Sequence, residues 1–169
     1  MTKRLFDIGF ALVLLIVLFP LLLVLALFVA FTSPGGAFFR QTRTGKEGKE
    51  FRLLKFRTMR PGSETKGQLT VGTRDPRVTS IGVLLRRSKL DELPQLWNVL
   101  VGDMSVVGPR PEVPKYVAMY TLAQREVLRV RPGITGMASI EHIDESDILA
   151  RSADPERTYV HELMPAKLA

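Results

Sequence analysis

No cysteine occurs among the 169 residues, so the chain forms neither a disulfide nor a thiolate metal site, which fits the cytoplasm. Only two histidines are present, His142 and His161, and each stands too isolated to build a zinc site. Ser105 and Ser139 lack a convincing histidine partner, which argues against a hydrolase triad. "TGKEGK", residues 44–49, misses the Walker A spacing, and no G-x-G-x-x-G follows a strand-like segment. Neither a P-loop nor a Rossmann site is supported. Internal repeats and low-complexity tracts are also missing. Acid is the minority charge, 17 Asp and Glu against 24 Lys and Arg, giving a formal net charge of +7. Such a surplus implies an anionic partner: nucleic acid, a membrane surface or phosphorylated substrates.

What the chain does have is one long apolar run, Ile8 to Phe31, with no charged residue in it. A run of roughly 18 or more apolar residues reads as membrane-inserted. It is too long for a cleaved signal peptide, and "AFTSPGGAF" is a poor cleavage site. Pro20 falls near its centre, where it removes a helix hydrogen bond and kinks the chain. Lys3 and Arg4 precede the run, and Arg40, Arg43, Lys46 and Lys49 follow it. Basic flanks mark the cytoplasmic side, and a bent helix that enters and leaves by one leaflet satisfies both. A kinked but complete span stays open. The expected organisation is a re-entrant membrane helix-break-helix with its basic flank over residues 1–31 and a globular domain over 32–169.

Within that domain, "TSPGG" is a turn-rich exit. Residues 40–60 carry eight Lys or Arg against two Glu, and "KEFRLLKFRTM" partly alternates, predicting a hairpin turned at "TGKEGK". "RPGSETKGQLTVGTRDPR", residues 60–77, reads as loop. Helical patterning is predicted near Ser80 over "IGVLLRRS", again through "LPQLWNVLVG" up to Gly102, and from Pro114 to Arg129 with Val113, Val117, Tyr120 and Val127 on one face. The fold class is therefore α+β, mainly helical with a short β-hairpin. Phe38, Phe39 and Trp97 read as core or membrane-interface residues rather than a base-stacking platform.

The chemistry concentrates in "RRSKLDELPQLWNVLVGDMSVVGPRP", residues 86–111, where Asp91 and Glu92 stand side by side. Pro94 belongs in a helix's first turn, so both acids lie at or just before a helix start, where free N–H groups and Arg86, Arg87 and Lys89 favour their ionised forms. Adjacent residues on a helix project about 100° apart, so one acid can attack an electrophile while the other helps to hold a cation. On spacing alone the plainer alternative is favoured: Asp91 caps a helix and Glu92 pairs with an arginine.

"KLDELPQLWNVLVGDMSVVGPRP" closely resembles the signature of the bacterial sugar transferase family, the monotopic phosphoglycosyl transferases. "LLKFRTM", "KRLFDIGFALVLLIVLFPLLL" and "VRPGITGMA" (residues 130–138) extend the resemblance from Lys3 to about Ala138. The resemblance implies an enzyme that moves a sugar 1-phosphate from a UDP-sugar onto polyprenyl (undecaprenyl) phosphate, releases UMP and starts glycoconjugate or exopolysaccharide assembly. It implies a re-entrant membrane segment broken at Pro20, Asp91 as nucleophile and Mg²⁺ ligand, and Glu92 as its catalytic partner in metal binding or orientation. Lys55, Arg57, Arg86 and the strap Pro109, Arg110, Pro111 are then expected on the substrate phosphates or nucleotide, although Lys55 and Arg57 on a strand could simply be solvated. Mg²⁺ is the expected cofactor. UDP-sugar, polyprenyl phosphate and the cytoplasmic leaflet of the bacterial inner membrane are the expected partners. No nucleic acid is expected, and a homodimer stays open.

The sequence departs from the family after "GITGMAS", where many members carry a Gly-Arg-Asn block for a phosphate contact and this chain reads "IEHIDESDILA". Arg151 or Arg157 stands as a replacement for that arginine. "ADPERTYVHELMPAKLA" resembles a subset with an insertion, and the chain reads as either a truncated or a minimal, stand-alone form. Two other classes stay open. A membrane-attached phosphohydrolase would use the same acids with water as acceptor, and a non-catalytic, basic membrane-tethered binding module would leave Asp91 and Glu92 unexplained.

Overall fold

The computed structural model describes residues 2–63, 67, 69, 71, 75–142 and 144–168. The apolar N-terminus forms two helices, α1 (Thr2–Val17) and α2 (Phe19–Thr32), that meet at Leu18 with a 66° bend. Pro20 sits in the first turn of α2, where a missing N–H leaves no bond unmade, so it starts the second helix rather than interrupting one. Among the described residues no single helix is long and apolar enough to cross a membrane, whereas the bent pair qualifies together on length and composition.

Both ends of this pair meet the same domain. At the start of α1, Arg4 donates to the carbonyls of Val99 (2.7 Å) and Leu100 (3.0 Å), the last turn of α4 (Gln95–Val101). The Leu100 carbonyl has no partner within the helix and the Val99 carbonyl has only the Gly102 N–H at 3.2 Å, so a cation belongs there. Gly102 closes α4 at φ 104°, and a side chain at that position would crowd Arg4. Asp7, one turn along α1, accepts from Ser105 Oγ (2.9 Å) and Val106 N (3.1 Å), and Lys3 reaches Ser105 and the Val107 carbonyl. Lys3 and Arg4, expected as topology signals, are also docking residues.

The hairpin forms as predicted. Strands β1 (Phe38–Thr44) and β2 (Glu50–Phe56) pair antiparallel with Phe39 opposite Lys55 and Arg43 opposite Phe51, and Gly45–Lys49 makes the turn. The free edge of β2 is covered by α4: Asn98 donates to the Arg52 carbonyl and accepts from Leu54 N–H, each at 2.9 Å. A side-chain amide thus takes the place of a third strand and protects the edge. Helix α3 (Ser80–Arg87) begins at Thr79, whose hydroxyl caps Gly82 N–H. Three apolar clusters result. Ala11 of α1 packs with Leu53, Leu96, Val99 and Met104; Val29 of α2 packs with Phe56 and Leu85; Val113, Tyr116, Val117, Tyr120, Leu149, Tyr159, Leu163 and Met164 form the third.

Two sequence expectations need revision, the third helix and the sheet content. The helix predicted over Pro114 to Arg129 is two pieces, α5 (Pro114–Val117) and a 3₁₀ segment (Gln124–Arg129). Thr121 and Gln124 form a reciprocal capping box that starts a new turn (Thr121 N–H to Gln124 Oε1, 2.9 Å; Gln124 N–H to Thr121 Oγ1, 3.3 Å). Val113, Val117 and Tyr120 still share one buried cluster, with Val127 packed on it. Trp97 is half exposed, so of the two expected placements, core or membrane interface, it does not take the core one. A second sheet also appears, the parallel pair β3 (Ser105–Val107) and β4 (Gly133–Thr135), each too short to leave a period in the sequence. The loop expected over residues 60–77 lies partly outside the described residues; within them Arg77 grips Asp75 and donates to the Gly67 carbonyl at 2.7 Å.

The second sheet depends on glycine at the contact. A Cβ on Gly133 would stand 2.1 Å from Gly108 N and 2.7 Å from Gly108 O, against backbone that has no rotamer to yield. Gly133→Ala is expected to cost about 1–3 kcal/mol or more, lowering the unfolding midpoint by roughly 3–10 °C in detergent-solubilised protein. Gly9→Ala, where no atom lies within 4 Å, is the matched control and leaves the midpoint unchanged or higher.

Candidate active site

Asp91 and Glu92 lie in a 3₁₀ turn, Leu90–Glu92, between α3 and α4. Lys89 enters it at φ 56°, a left-handed conformation that costs an L-residue roughly 1 kcal/mol, and swings both acids inward. Both are buried, at 6% and 8% exposure. Lys55 Nζ donates to Glu92 Oε1 at 2.9 Å, from the strand β2. Arg110 donates to Oε1 at 2.8 Å and to Oε2 at 3.4 Å, from the opposite side. Burial works to raise the Glu92 carboxyl, but Lys55 and Arg110 overcome it and hold the group well below the usual carboxylate range.

Asp91 is treated differently by the same environment. Burial raises its carboxyl above the ordinary value and Glu92 adds to the effect, outweighing Lys55, Arg86 and Lys89. No described residue hydrogen-bonds to it, and the N-terminus of α4 has no side-chain cap. The alternative favoured on spacing is thus half right: Glu92 pairs with an arginine, and Asp91 caps nothing. The expectation that helix-start position lowers both carboxyls is not met: Glu92 is lowered by Lys55 and Arg110, and Asp91 is raised by burial.

Arg110 is presented by the strap from Pro109 to Glu112. The Pro109 carbonyl accepts from Gly133 N (2.8 Å), the Glu112 carbonyl from Thr44 N (2.8 Å) and the Pro111 carbonyl from Arg43 (3.1 Å). Pro109 and Pro111 therefore lend rigidity and backbone anchors. Arg86 donates from Nε to Thr58 Oγ1 at 2.9 Å, and Asp91 is the leading charge acting on its guanidinium. Lys55, Arg86, Arg110, Asp91 and Glu92 are brought together. Arg57 is not: it donates to the carbonyls of Gly36 (3.2 Å) and Phe38 (3.0 Å) and lies over Phe39, tying the exit of α2 to the hairpin. Arg151 and Arg157 are exposed on the surface, and Arg157 N–H serves the Asp154 cap.

Sequence reasoning passed over Arg43, Glu112 and Gln95. Arg43 is one of eight basic residues in its stretch, and the backbone carbonyl it holds is invisible in a sequence. Glu112 did have a signal, an acid directly after a rigid Pro-Arg-Pro. Gln95 is only 2% exposed, three residues after Glu92, and its side chain makes no hydrogen bond to a described residue. With Arg43, Lys55, Arg86 and Arg110 facing Asp91, Glu92 and Glu112, cations outnumber acids, and the surplus suits a phosphate-bearing ligand.

Comparison with known proteins agrees with this chemistry. Residues 1–166 match the profile of the family described as Bacterial sugar transferase. The UDP-glucose:undecaprenyl-phosphate glucose-1-phosphate transferase of Escherichia coli (strain K12) is 46% identical over 141 residues, covering 82% of this chain and 30% of that protein. The UDP-N-acetylgalactosamine-undecaprenyl-phosphate N-acetylgalactosaminephosphotransferase of Aeromonas hydrophila is 41% identical over 146 residues, 83% of this chain and 34% of its own. The Exopolysaccharide production protein PSS of Rhizobium leguminosarum bv. phaseoli is 44% identical over 153 residues, 82% of this chain and 72% of its own. The chain thus spans about a third of the first two relatives and nearly three quarters of the last. It belongs to the bacterial sugar transferase family and is a transferase.

Proposed function

We propose that the chain transfers a sugar 1-phosphate from a UDP-sugar to polyprenyl phosphate, of the undecaprenyl type named for its relatives, by way of a phosphosugar carried on Asp91. The observation that carries this reading is a buried carboxylate without a hydrogen-bond partner among the described residues, set beside three cations. An Asp91 oxygen attacks the sugar-bearing phosphorus, the bond from that phosphorus to the bridging oxygen breaks, and UMP leaves. An oxygen of polyprenyl phosphate then attacks the same phosphorus, the acyl phosphate bond breaks, and the Asp91 carboxylate is restored. The acceptor phosphate has its second pKa near ~6, so it arrives largely ionised and needs little base catalysis. Lys55, Arg86 and Arg110 stabilise the phosphate oxygens, and Glu92 holds Lys55 and Arg110 in place for that task.

The residues present fit Mg²⁺. Among the described residues no three His, Asp or Glu side chains converge as a metal site, so the chain offers Asp91 and, at most, Glu92. Mg²⁺ favours such a site, taking one or two carboxylates and filling its shell with phosphate oxygens and water. Bound there, it would offset the charge of the diphosphate. Glu92 already spends both oxygens on Lys55 and Arg110, so Asp91 is the principal protein ligand in this reading.

The same reading places α1 and α2 as a re-entrant pair in the cytoplasmic leaflet of the bacterial inner membrane, with the domain facing the cytoplasm. Its support is that Arg4 and Asp7 at one end, and the turn into β1 at the other, meet the same domain. The outer faces of the pair also carry uncovered Phe6, Ile16, Phe19, Phe28 and Phe31.

Incubated with a suitable UDP-sugar alone, the protein is expected to release UMP and gain the mass of one phosphosugar, read by intact-mass spectrometry. The adduct disappears on adding polyprenyl phosphate, is abolished by Asp91→Asn, and requires a divalent cation that chelation removes and magnesium restores. UMP release only with both substrates present, and never an adduct on Asp91, would sink the double displacement. Cleavage without an acceptor lipid, turning over to free sugar phosphate, would instead identify a phosphohydrolase.

A pH limb follows from Lys55. Burial pushes its ammonium down to about 8, with Arg110 adding and Glu92 opposing. It is charged below that pH and binds phosphate; above it the charge is lost. The kcat/KM for UDP-sugar is therefore expected to fall as pH rises past about 8, and Lys55→Arg removes that limb whatever it does to the plateau. For topology, Thr2→Cys in this cysteine-free chain is expected to resist a membrane-impermeant thiol reagent in intact cells and to react after permeabilisation. Labelling from outside would refute the re-entrant pair.

A further inference from the structure

We infer that Tyr159, far along the chain from the acids, is a positioning residue for Arg110, acting through Glu112 at the end of the strap. The inference rests on the reading of Arg110 as a phosphate-binding cation but on a different set of contacts. Tyr159 is 2% exposed and packs its ring on Tyr116, with centroids 4.8 Å apart, inside the third apolar cluster. Its hydroxyl bonds to Glu112 Oε2. The polarity is fixed by Lys167, whose Nζ lies 3.3 Å from the same hydroxyl and 2.7 Å from Glu145 Oε2. An ammonium only donates, so the Tyr159 oxygen accepts from Lys167 and its proton goes to the Glu112 carboxylate.

Glu112 is held from both sides. Its Oε1 accepts from Arg43 (3.2 Å) and Val113 N (2.7 Å), while Tyr159 takes Oε2. Arg43 also holds the Pro111 carbonyl, and Gln41 Oε1 fixes the Arg43 guanidinium at 2.9 Å. Arg110 lies between these anchors and the Pro109 carbonyl bonded to Gly133. Its backbone is thereby clamped one or two residues away on each side, which sets the bidentate approach to Glu92. Without the hydroxyl, Glu112 is free to turn about Oε1, and the strap loses its anchor to the C-terminal helices. A charge-assisted bond shielded from water is the kind whose loss is felt.

The test uses the full chain in detergent or nanodiscs. Tyr159→Phe keeps the ring, so the fold is expected to survive, with near-UV circular dichroism as the check. Two readouts are taken. In ¹⁵N-arginine spectra, the guanidinium resonance assigned to Arg110 by its loss in Arg110→Lys is expected to broaden or shift in Tyr159→Phe. In UMP release, Tyr159→Phe is expected to lower kcat about tenfold in the native background and to have no further effect on Arg110→Ala. Independent, multiplying effects would mark a merely structural role and overturn the inference, as would an Arg110 resonance that does not change. A changed resonance in a protein that releases UMP from no UDP-sugar would uphold the positioning while refuting the proposed function. Lys167→Met, which leaves Tyr159 its proton acceptor, is expected to give a smaller change in the same resonance.

Discussion

A carboxylate kept in a dry interior dictates much of this structure. Glu92 is 8% exposed, and an unpaired charge at that depth would cost several kcal/mol. Two cations offset that cost, Lys55 from a strand and Arg110 from a strap some fifty residues later. Removing both would leave an uncompensated charge, a loss of about 3–5 kcal/mol in comparable buried pairs. The pair is therefore a poor source of net stability and a strong source of register. The hairpin must present Lys55 on the face toward α4, and Asn98 fixes that face by pairing with the β2 backbone. The strap must come back to the same point, and the glycine contact between Gly108 and Gly133 permits it to do so.

Adjacency is what allows Asp91 to differ. In a 3₁₀ turn neighbouring side chains point about 120° apart, so Glu92 takes the bonds from Lys55 and Arg110 while Asp91 receives only their field. Burial raises the Asp91 carboxyl and makes it a stronger base, hence a better nucleophile. The surrounding cations Lys55, Arg86 and Lys89 oppose that rise. A fully satisfied aspartate would be a poorer nucleophile, and one without cations nearby would be raised further. The site lies between those extremes because Glu92, next door, keeps the cations there.

Much of this was legible in the sequence where a local rule applied. The hairpin followed from alternation around "TGKEGK", α4 from its glycine stop, and the bent N-terminus from a proline inside an apolar run. The joining of Lys55, Arg86 and Arg110 to the acids came from the family resemblance, since residues 55, 92 and 110 meet only through tertiary packing. Failures arose where competing local signals were close in strength. Apolar periodicity over Pro114 to Arg129 was real, yet α5 ends at Val117 and the capping box of Thr121 and Gln124 starts a separate turn. Arg57 sits two residues from Lys55 and on the same strand face by alternation, but β2 ends at Phe56, and the side chain turns to the carbonyls of the α2 exit.

Helix α4 joins these themes mechanically. Pro94 stands at its start, immediately after the turn that carries Asp91 and Glu92, and Arg4 binds the carbonyls of its end. With seven residues at ~1.5 Å rise, α4 is roughly 10 Å long and separates the turn that carries Asp91 from the head of α1. Under the proposed topology that length sets the height of Asp91, the proposed nucleophile, above the apolar pair, and thus above the lipid surface. A polyprenyl phosphate has its charge at the headgroup layer and its chain below, so a nucleophile held near that layer needs no lifting of lipid into water. The sugar nucleotide, fully soluble, can arrive from the other side. Docking α1 through Arg4 and Asp7, rather than tethering it by a loose linker, is what would make that height a fixed property of the fold.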